Sequence, residues 1–233
     1  MSLIHSVFDL CAIVASMSVT VLFYRWRLRA AAQRIDQAGS GYAIALILGA
    51  VIGGFGFGTL NLWLSGVPEI GRSILGSIAG SICAIEIFKH MRGIRGSTGI
   101  IFVPAFATTV IVGRWGCFFS GMDDQTYGIP TTLPWGSNFG DGIPRHPVQL
   151  YESFSMLAFL VFAAVMIGTR DNWFMRNGFY ILVLFYAAQR FAWEFLKPYG
   201  TLVGPLNLFH LVCLGLAGYA LWMMWGQNER ARP

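Results

Sequence analysis

Seven apolar runs separated by short polar connections occupy most of the chain, and this pattern constrains the fold more than any other feature. A helix needs about 20 mostly apolar residues to cross a bilayer. The runs near this length are Leu3–Tyr24, Tyr42–Leu64, Ser73–Phe88, Gly99–Phe119, Val148–Ile167, Gly178–Phe195 and Leu206–Trp225. Only 12% of the residues are charged, whereas a water-soluble domain has about 25%. The sequence predicts an all-α polytopic membrane protein, one integral membrane domain (1–233) with about seven transmembrane helices.

Lysine and arginine are unevenly divided between the two sets of connections. Eleven follow the first, third, fifth and seventh runs: Arg25, Arg27, Arg29, Arg34, Lys89, Arg92, Arg95, Arg170, Arg176, Arg230 and Arg232. The opposite connections hold three: Arg72, Arg145 and Lys197. Because cytoplasmic loops carry the positive excess, the N-terminus is predicted outside and the C-terminus in the cytoplasm. Topology and anionic lipid headgroups account for the net charge of +5, so no nucleic-acid partner is indicated.

The longest connection, 120–147, is predicted to be an extracytoplasmic loop. It is rich in turn-forming residues and also contains aromatic side chains. A loop of this length inside a compact domain is usually functional or disordered, and its apolar content argues for function.

Small residues predict which helices pack closely. Gly49-x-x-x-Gly53 and Gly76-x-x-x-Gly80 lie in the second and third runs, and this spacing lets two helix backbones approach. The four cysteines all lie in apolar runs, without the spacing of a disulfide framework or a zinc knuckle. We expect them to be small buried side chains, and we expect no metal site and no organic cofactor.

Two arginines interrupt apolar runs. Arg114 lies in VIVGRWGCFF and Arg190 in YAAQRFAWEF. An arginine at the centre of a membrane helix costs about 2.5–3.5 kcal/mol. Both are near the predicted outer ends of their runs, so snorkelling to the interface is one reading. The functional reading is favoured, because charge within a membrane normally faces the interior of the bundle.

Other polar residues are predicted to collect near the same membrane depth. Glu194 lies one helical turn after Arg190, where an ion pair is favoured. Gln149 and Glu152 share a helix face, and His146 stands just before that helix. Arginine binds phosphate through two parallel hydrogen bonds. The set therefore predicts a pocket for a phospholipid headgroup, with Glu152 or His146 as a base if burial tunes its pKa. Glu86, beside Lys89, is interpreted as a solvated helix end.

Four motifs in order resemble the bacterial prolipoprotein diacylglyceryl transferases. They are GRWGCFFSG (113–121), YGIPTTLPWG (127–136), RHPVQLYE (145–152) and QRFAWEFLKP (189–198). The family's counterparts are G-R-x-G-N-F-x-N-G, G-x-P-T-x-L-P-W-G, H-P-x-Q-L-Y-E and R-F-x-x-E-F-x-R. The likeness covers roughly residues 100–225 well, and the first half only in hydropathy and glycine content.

The resemblance implies a transferase of the bacterial inner membrane that moves diacylglycerol from phosphatidylglycerol to the cysteine thiol of a prolipoprotein. Thiolate attack on an sp³ carbon needs a stabilised leaving phosphate and a deprotonated thiol. Carried over by motif, the candidate catalytic residues are Glu152, Arg190 and His146. The candidate substrate-binding residues are Arg114, Gln149, Tyr151, Gly121 and Glu194. In this scheme Glu194 holds Arg190, and Gly121 supplies a tight turn where the loop begins.

The sequence also departs from the family pattern. Cys117 and Ser120 replace two asparagines, and Lys197 replaces the last arginine. Leu75 stands where the family has a histidine with an assigned catalytic part, and Phe55 where it tends to have an arginine. A leucine cannot move a proton. Either His146 or a carboxylate is then the base, or a nucleophile other than a prolipoprotein is the acceptor.

Two alternatives to this transferase remain. The first is a non-catalytic protein that binds or transports phospholipid on the same scaffold. The second is an unrelated seven-helix ion or proton pathway, which would leave the outer loop unused. The implied partners are phosphatidylglycerol and prolipoprotein signal peptides.

Overall fold

A computed structural model describes residues 3–36 and 38–230, and its regular structure is almost entirely helical. The α-helices are α1 (Leu3–Phe23), α2 (Arg29–Asp36), α3 (Ser40–Leu64), α4 (Ile74–Arg92), α5 (Phe102–Phe119), α6 (Val148–Gly168), α7 (Asn172–Glu194) and α8 (Leu208–Arg230). A π-helical turn (Tyr24–Leu28) joins α1 to α2, and a 3-10 helix (Gly121–Asp124) follows α5. Two short antiparallel pairs complete the structure: β1 (Ser137–Asn138) with β2 (Pro144–Arg145), and β3 (Thr201–Val203) with β4 (Leu206–Asn207). Arg232, one of the cations behind the predicted orientation, lies outside the described residues.

Within residues 3–36 and 38–230, six helical segments are long and apolar enough to cross a membrane. They are Leu3–Gln33, Ser40–Leu64, Ile74–Arg92, Phe102–Phe119, Val148–Gly168 and Leu208–Gly226. Their exposed side chains are largely apolar, as contact with lipid requires. The predicted class, an all-α polytopic membrane protein, is confirmed. The sixth predicted run, Gly178–Phe195, is helical as α7, but α7 is not among these six segments. The predicted orientation stays a prediction.

The chain forms two compact units, each made from separated segments. One combines Met1–Leu28 with Gly99–Pro198, and the other combines Arg29–Thr98 with Tyr199–Pro233. In the first unit α5 packs against α1 and α6, and α6 packs against α7. Gly116 allows the first of these contacts, because a Cβ there would lie 2.6 Å from the Cβ of Phe8.

Glycines bring α3 and α4 together in the second unit, as the spacing predicted. A Cβ on Gly53 would overlap the carbonyl oxygen of Gly76, and one on Gly80 would overlap that of Gly49. Backbone therefore meets backbone along this contact. Where lipid tails are as apolar as the helices, such close packing is a main source of helix association.

Gly53→Leu is expected to lower the thermal stability of the protein in detergent, because the added side chain has no space between α3 and α4. Overpacking costs about 1–3 kcal/mol even where neighbours can shift, and here the neighbour is backbone. Gly56→Leu is the matched control, since Gly56 is on the same helix, is exposed, and would place its Cβ in open space. Equal melting temperatures for the two variants would contradict this account of the α3–α4 contact.

Two sequence interpretations need correction. Glu86, interpreted as a solvated helix end, is only partly solvated: its side chain is 34% exposed. The buried Lys89 places its Nζ 2.9 Å from Glu86 Oε1, and this oxygen also accepts a hydrogen bond of 2.8 Å from Tyr219 Oη. The pair therefore belongs to the packing of α4 against α8. Of the four free cysteines, Cys117 and Cys213 are buried as expected, whereas Cys11 and Cys83 are exposed.

Candidate active site

Glu152 is the centre of a buried charge cluster in the first unit. Its side chain is fully buried, and cations from three parts of the chain surround it. Arg114 Nη2 of α5 lies 2.6 Å from Glu152 Oε2, and Lys197 Nζ lies 2.9 Å from Oε1. Arg190 Nη1 of α7 pairs with the same Oε1. The predicted convergence of the two arginines on an acidic side chain is therefore present in the structure.

A second carboxylate, Glu194, completes the cluster. Its Oε2 lies 3.1 Å from Arg190 Nη2 and 4.0 Å from Lys197 Nζ. The ion pair predicted from the four-residue spacing of Arg190 and Glu194 is thus confirmed. Three cations and two carboxylates leave a formal charge of +1 at a site whose side chains are at most 6% exposed. Excess buried charge is costly, so an anion that approaches this cluster gains electrostatic stabilisation.

Hydrogen bonds between α5 and α6 fix the two helices beside this cluster. Trp115 Nε1 donates to Ser153 Oγ at 3.2 Å, and Ser153 Oγ donates to the Ile111 carbonyl at 2.8 Å. Trp115 and Ser153 directly follow Arg114 and Glu152 in the sequence. The Arg114–Glu152 pair is therefore held by packing of the backbones that carry it as well as by charge.

Lys197 is the residue of this cluster that the sequence analysis did not place in the site. It follows the end of α7 and is fully buried. Burial, followed by repulsion from Arg190, lowers its pKa from 10.5 to about 8, although Glu152 partly opposes the shift. The signal was available, because Lys197 is three residues after Glu194 and extends the same helical face by one turn.

Several buried polar atoms near these residues in sequence have no hydrogen-bond partner within the described part of the chain. They are Arg114 Nε, Gln149 Oε1, Trp193 Nε1 and both amide atoms of Gln189. The other amide atom of Gln149 donates to Thr126 Oγ1 at 3.3 Å. Buried polar atoms normally find partners. These groups could therefore donate to and accept from a polar ligand such as a headgroup.

Tyr151 and His146 form a separate pair where the loop 120–147 meets α6. Tyr151 Oη accepts a hydrogen bond of 2.8 Å from Trp135 Nε1 and lies 3.3 Å from His146 Nδ1. The aromatic ring of Tyr151 packs against Trp193 at 5.3 Å between centroids. The hydrogen bond of the His146 ring is thus to Tyr151, while Glu152 is engaged by the three cations.

The loop 120–147 is tied to the unit through backbone contacts. Gly121 has φ +64°, a left-handed conformation that suits glycine, and a Cβ there would lie 2.7 Å from the Phe139 carbonyl oxygen. Met122 N donates to that same oxygen at 3.2 Å. The tight turn expected of Gly121 is present. Farther along, Arg145 pairs with Asp141 at 2.7 Å, and this hydrogen-bonded pairing lowers the pKa of Asp141.

Leu75 belongs to the second unit. It lies in the first turn of α4, where its side chain is fully buried. The structure therefore gives an apolar packing role to the position where the resemblance implies a histidine.

Comparison with known proteins matches this chain to one family along nearly its whole length. The sequence profile described as prolipoprotein diacylglyceryl transferase matches residues 5–226. A relative from Nitratidesulfovibrio vulgaris is 30% identical over 208 residues, covering 82% of this chain and 76% of the relative. One from Geobacter sulfurreducens is 33% identical over 185 residues, covering 73% of this chain and 69% of the relative.

A third relative, from Gloeobacter violaceus, is 32% identical over 177 residues, covering 70% of this chain and 64% of its own. All three are named phosphatidylglycerol–prolipoprotein diacylglyceryl transferase. The matched range includes every member of the Glu152 cluster. It also extends over α1, α3 and α4, a part of the chain in which none of the four motifs occurs. With the profile match and these relatives together, the chain belongs to the prolipoprotein diacylglyceryl transferase family.

Proposed function

We propose that this protein transfers the diacylglyceryl group of phosphatidylglycerol to the cysteine thiol of a prolipoprotein, at the outer face of a bacterial inner membrane. The observation that carries the proposal is the convergence of Arg114, Arg190 and Lys197 on Glu152, with one positive charge in excess. The names of the relatives support the same reaction. The predicted orientation places the cluster on the outer side.

In the proposed reaction the thiolate sulfur attacks the glycerol carbon that carries the phosphate ester. A carbon–sulfur bond forms, the carbon–oxygen bond breaks, and glycerol phosphate leaves with the electron pair. Negative charge therefore grows on the departing phosphate, where preorganised cations are most effective. Arg114 and Arg190 are the proposed donors to this phosphate, and Arg114 Nε is a donor that Glu152 does not use.

Glu152 and Glu194 are proposed to hold the cations in position. Both oxygens of Glu152 face cations, so Glu152 is poorly placed to take a proton from an incoming thiol. We propose His146 as the base and Tyr151 as the group that orients its ring, with Gln149 on the headgroup. His146 is partly exposed at the end of the loop 120–147, where a peptide could reach it.

The test is product analysis after purified protein in phosphatidylglycerol vesicles is incubated with a lipobox peptide. We expect a peptide whose mass has increased by one diacylglyceryl group, together with one equivalent of glycerol phosphate. A matched peptide with serine in place of cysteine should stay unmodified. Phosphatidylglycerol that remains intact while binding reversibly would instead support the phospholipid-binding alternative, which Leu75 at the family's histidine position favours.

The transfer rate is expected to fall as the pH rises through about 8, because Lys197 then loses the proton that makes it a cation. Lys197→Arg keeps its charge at these pH values and should remove this alkaline loss while other pH effects remain. The measurement is the initial rate against pH for both proteins. The free energy of unfolding should change in the opposite direction. Because the pKa of Lys197 is lower in the folded protein than in the unfolded chain, the free energy of unfolding rises with pH between about 8 and 10.5. An unchanged pH profile in Lys197→Arg would exclude this role.

A further inference from the structure

Three side chains with metal-binding atoms meet where α1 begins and α5 ends. His5 lies in the first turn of α1, Cys117 in the last turn of α5, and Asp124 in the following 3-10 helix. His5 Nε2 is 3.0 Å from Asp124 Oδ1 and 3.7 Å from Cys117 Sγ. All three ligand atoms lie within 4.8 Å of one another. His5 is 112 residues from Cys117 in the sequence, yet the three side chains present one nitrogen, one sulfur and one oxygen to a common point.

These distances suit a tetrahedral cation. With zinc bonds of about 2.0–2.3 Å, neighbouring ligand atoms are separated by roughly 3.3–3.7 Å. The nitrogen–sulfur distance is already in this range, and the nitrogen–oxygen distance needs to open by only a few tenths of an ångström. The cluster is also well enclosed, since the side chains of His5 and Asp124 are 12% and 11% exposed and Cys117 is buried.

A second set of contacts orients the ligands. His5 Nδ1 lies 3.1 Å from Asp9 Oδ2, one helical turn along α1. Histidines that bind metal commonly donate their other ring nitrogen to a carboxylate, which fixes the ring and its tautomer. Thr126 Oγ1 donates to Asp124 Oδ2, the oxygen that does not face His5. Asp9 and Thr126 thus hold His5 Nε2 and Asp124 Oδ1 towards the shared point.

We propose that His5, Cys117 and Asp124 bind one divalent cation of the zinc class, with a fourth coordination position open. A thiolate, an imidazole and a carboxylate are all ligands that zinc accepts. Binding displaces the thiol proton of Cys117 and any proton on His5 Nε2, both of which pass to solvent. None of the steps proposed above for the transfer reaction uses this site, so it is proposed as a separate property of the chain.

The site would lie directly beside the charge cluster. Cys117 Sγ is 3.8 Å from Arg114 Nη1, and Arg114 also binds Glu152. A cation held by Cys117 would therefore have a second positive charge as its neighbour. The carboxylates of Asp9 and Asp124, together with the thiolate, offset that repulsion. Cobalt(II) is the appropriate probe, because it adopts zinc sites and its thiolate complexes absorb in the near-ultraviolet and visible regions.

The experiment is a cobalt titration of the purified full-length protein after treatment with a chelator. We expect uptake of one cobalt per chain, with a thiolate-to-cobalt charge-transfer band that added zinc abolishes. A variant with Cys11, Cys83 and Cys213 all changed to serine should retain the band, and the further change Cys117→Ser should remove it. His5→Gln and Asp124→Asn should each weaken binding at least tenfold, and Asp9→Asn should do so by about 10–100-fold.

His146→Gln is the control, as a histidine of the same unit outside this cluster, and should bind cobalt like the wild type. Elution from a size-exclusion column establishes that each variant is folded. If the folded wild type gives no charge-transfer band, or if the band survives Cys117→Ser, the proposal is wrong and His5 is an ion-paired structural residue. Lipid transfer by metal-free protein would leave the proposed function intact, and cobalt binding without transfer would leave the metal site intact.

Discussion

Glu152→Gln is expected to abolish transfer and to lower the free energy of unfolding by about 3–5 kcal/mol, the usual cost of removing one partner of a buried ion pair. The carboxylate of Glu152 is the common partner of Arg114, Arg190 and Lys197, all nearly inaccessible to solvent. Glutamine preserves the size of the side chain but removes its charge. Only Glu194 would then oppose three buried cations. Chemical denaturation in detergent and the peptide transfer assay measure the two effects.

Glu86→Gln is the matched control for this change. Glu86 also accepts a hydrogen bond from a buried lysine, Lys89, but it belongs to the other unit of the chain. Its substitution should lower stability while leaving transfer by the folded fraction near the wild-type rate. Equal stability and equal transfer in Glu152→Gln and the wild type would show that the charge cluster has no part in either property.

Arg190→Lys is expected to lower kcat/KM by about 10²–10³-fold, the loss typical when one preorganised donor to a developing oxyanion is removed. The guanidinium of Arg190 uses one terminal nitrogen for Glu152 and the other for Glu194. A lysine keeps the charge but offers a single nitrogen, which cannot reproduce this planar geometry. Because the charge remains, the loss of activity should be much larger than the loss of stability. Initial rates at several phosphatidylglycerol concentrations measure it.

Arg145→Lys provides the corresponding control. Arg145 is also ion-paired, but its guanidinium binds Asp141 on the loop, and lysine keeps the charge that faces this carboxylate. Its kcat/KM should stay within about twofold of the wild type, because the contacts of Arg145 are with Asp141, Gly128 and Tyr127 and not with the Glu152 cluster. A wild-type rate for Arg190→Lys, with Arg145→Lys as the reference, would remove Arg190 from the proposed chemistry.

Local patterns in the sequence were sufficient to predict the helices. They also predicted the contacts that depend on helical spacing. The apolar runs predicted the helices because a bilayer requires every backbone group to be bonded within its own segment. Helical spacing predicted the Arg190–Glu194 pair, and recurring glycines predicted the contact of α3 with α4. Arg114 and Glu152 required one further step, a topology that brought the ends of different helices to one side of the membrane.

Contacts between distant parts of the chain were harder to predict. His5 and Cys117 are 112 residues apart, and the packing of α1 on α5 that joins them has no local signature. Lys197 was counted as a loop cation because it follows the apolar run, although its spacing from Glu194 already favoured contact. Glu86 was interpreted as a solvated helix end for a related reason. Hydropathy reports the average character of a segment, while the solvation of one charged group depends on its partners, which for Glu86 are Lys89 and Tyr219.

The first unit is built from two segments that the ribosome makes at different times. Helix α1 is complete at Phe23, but its packing partner α5 ends at Phe119. At about 5–20 residues per second, α1 waits roughly 5–20 seconds in the bilayer before this neighbour is synthesised. During that interval His5 has its α1 partner Asp9, but Cys117 and Asp124 are not yet there to contact it. Biogenesis of this protein is therefore expected to depend on cellular factors that shelter a nascent membrane helix.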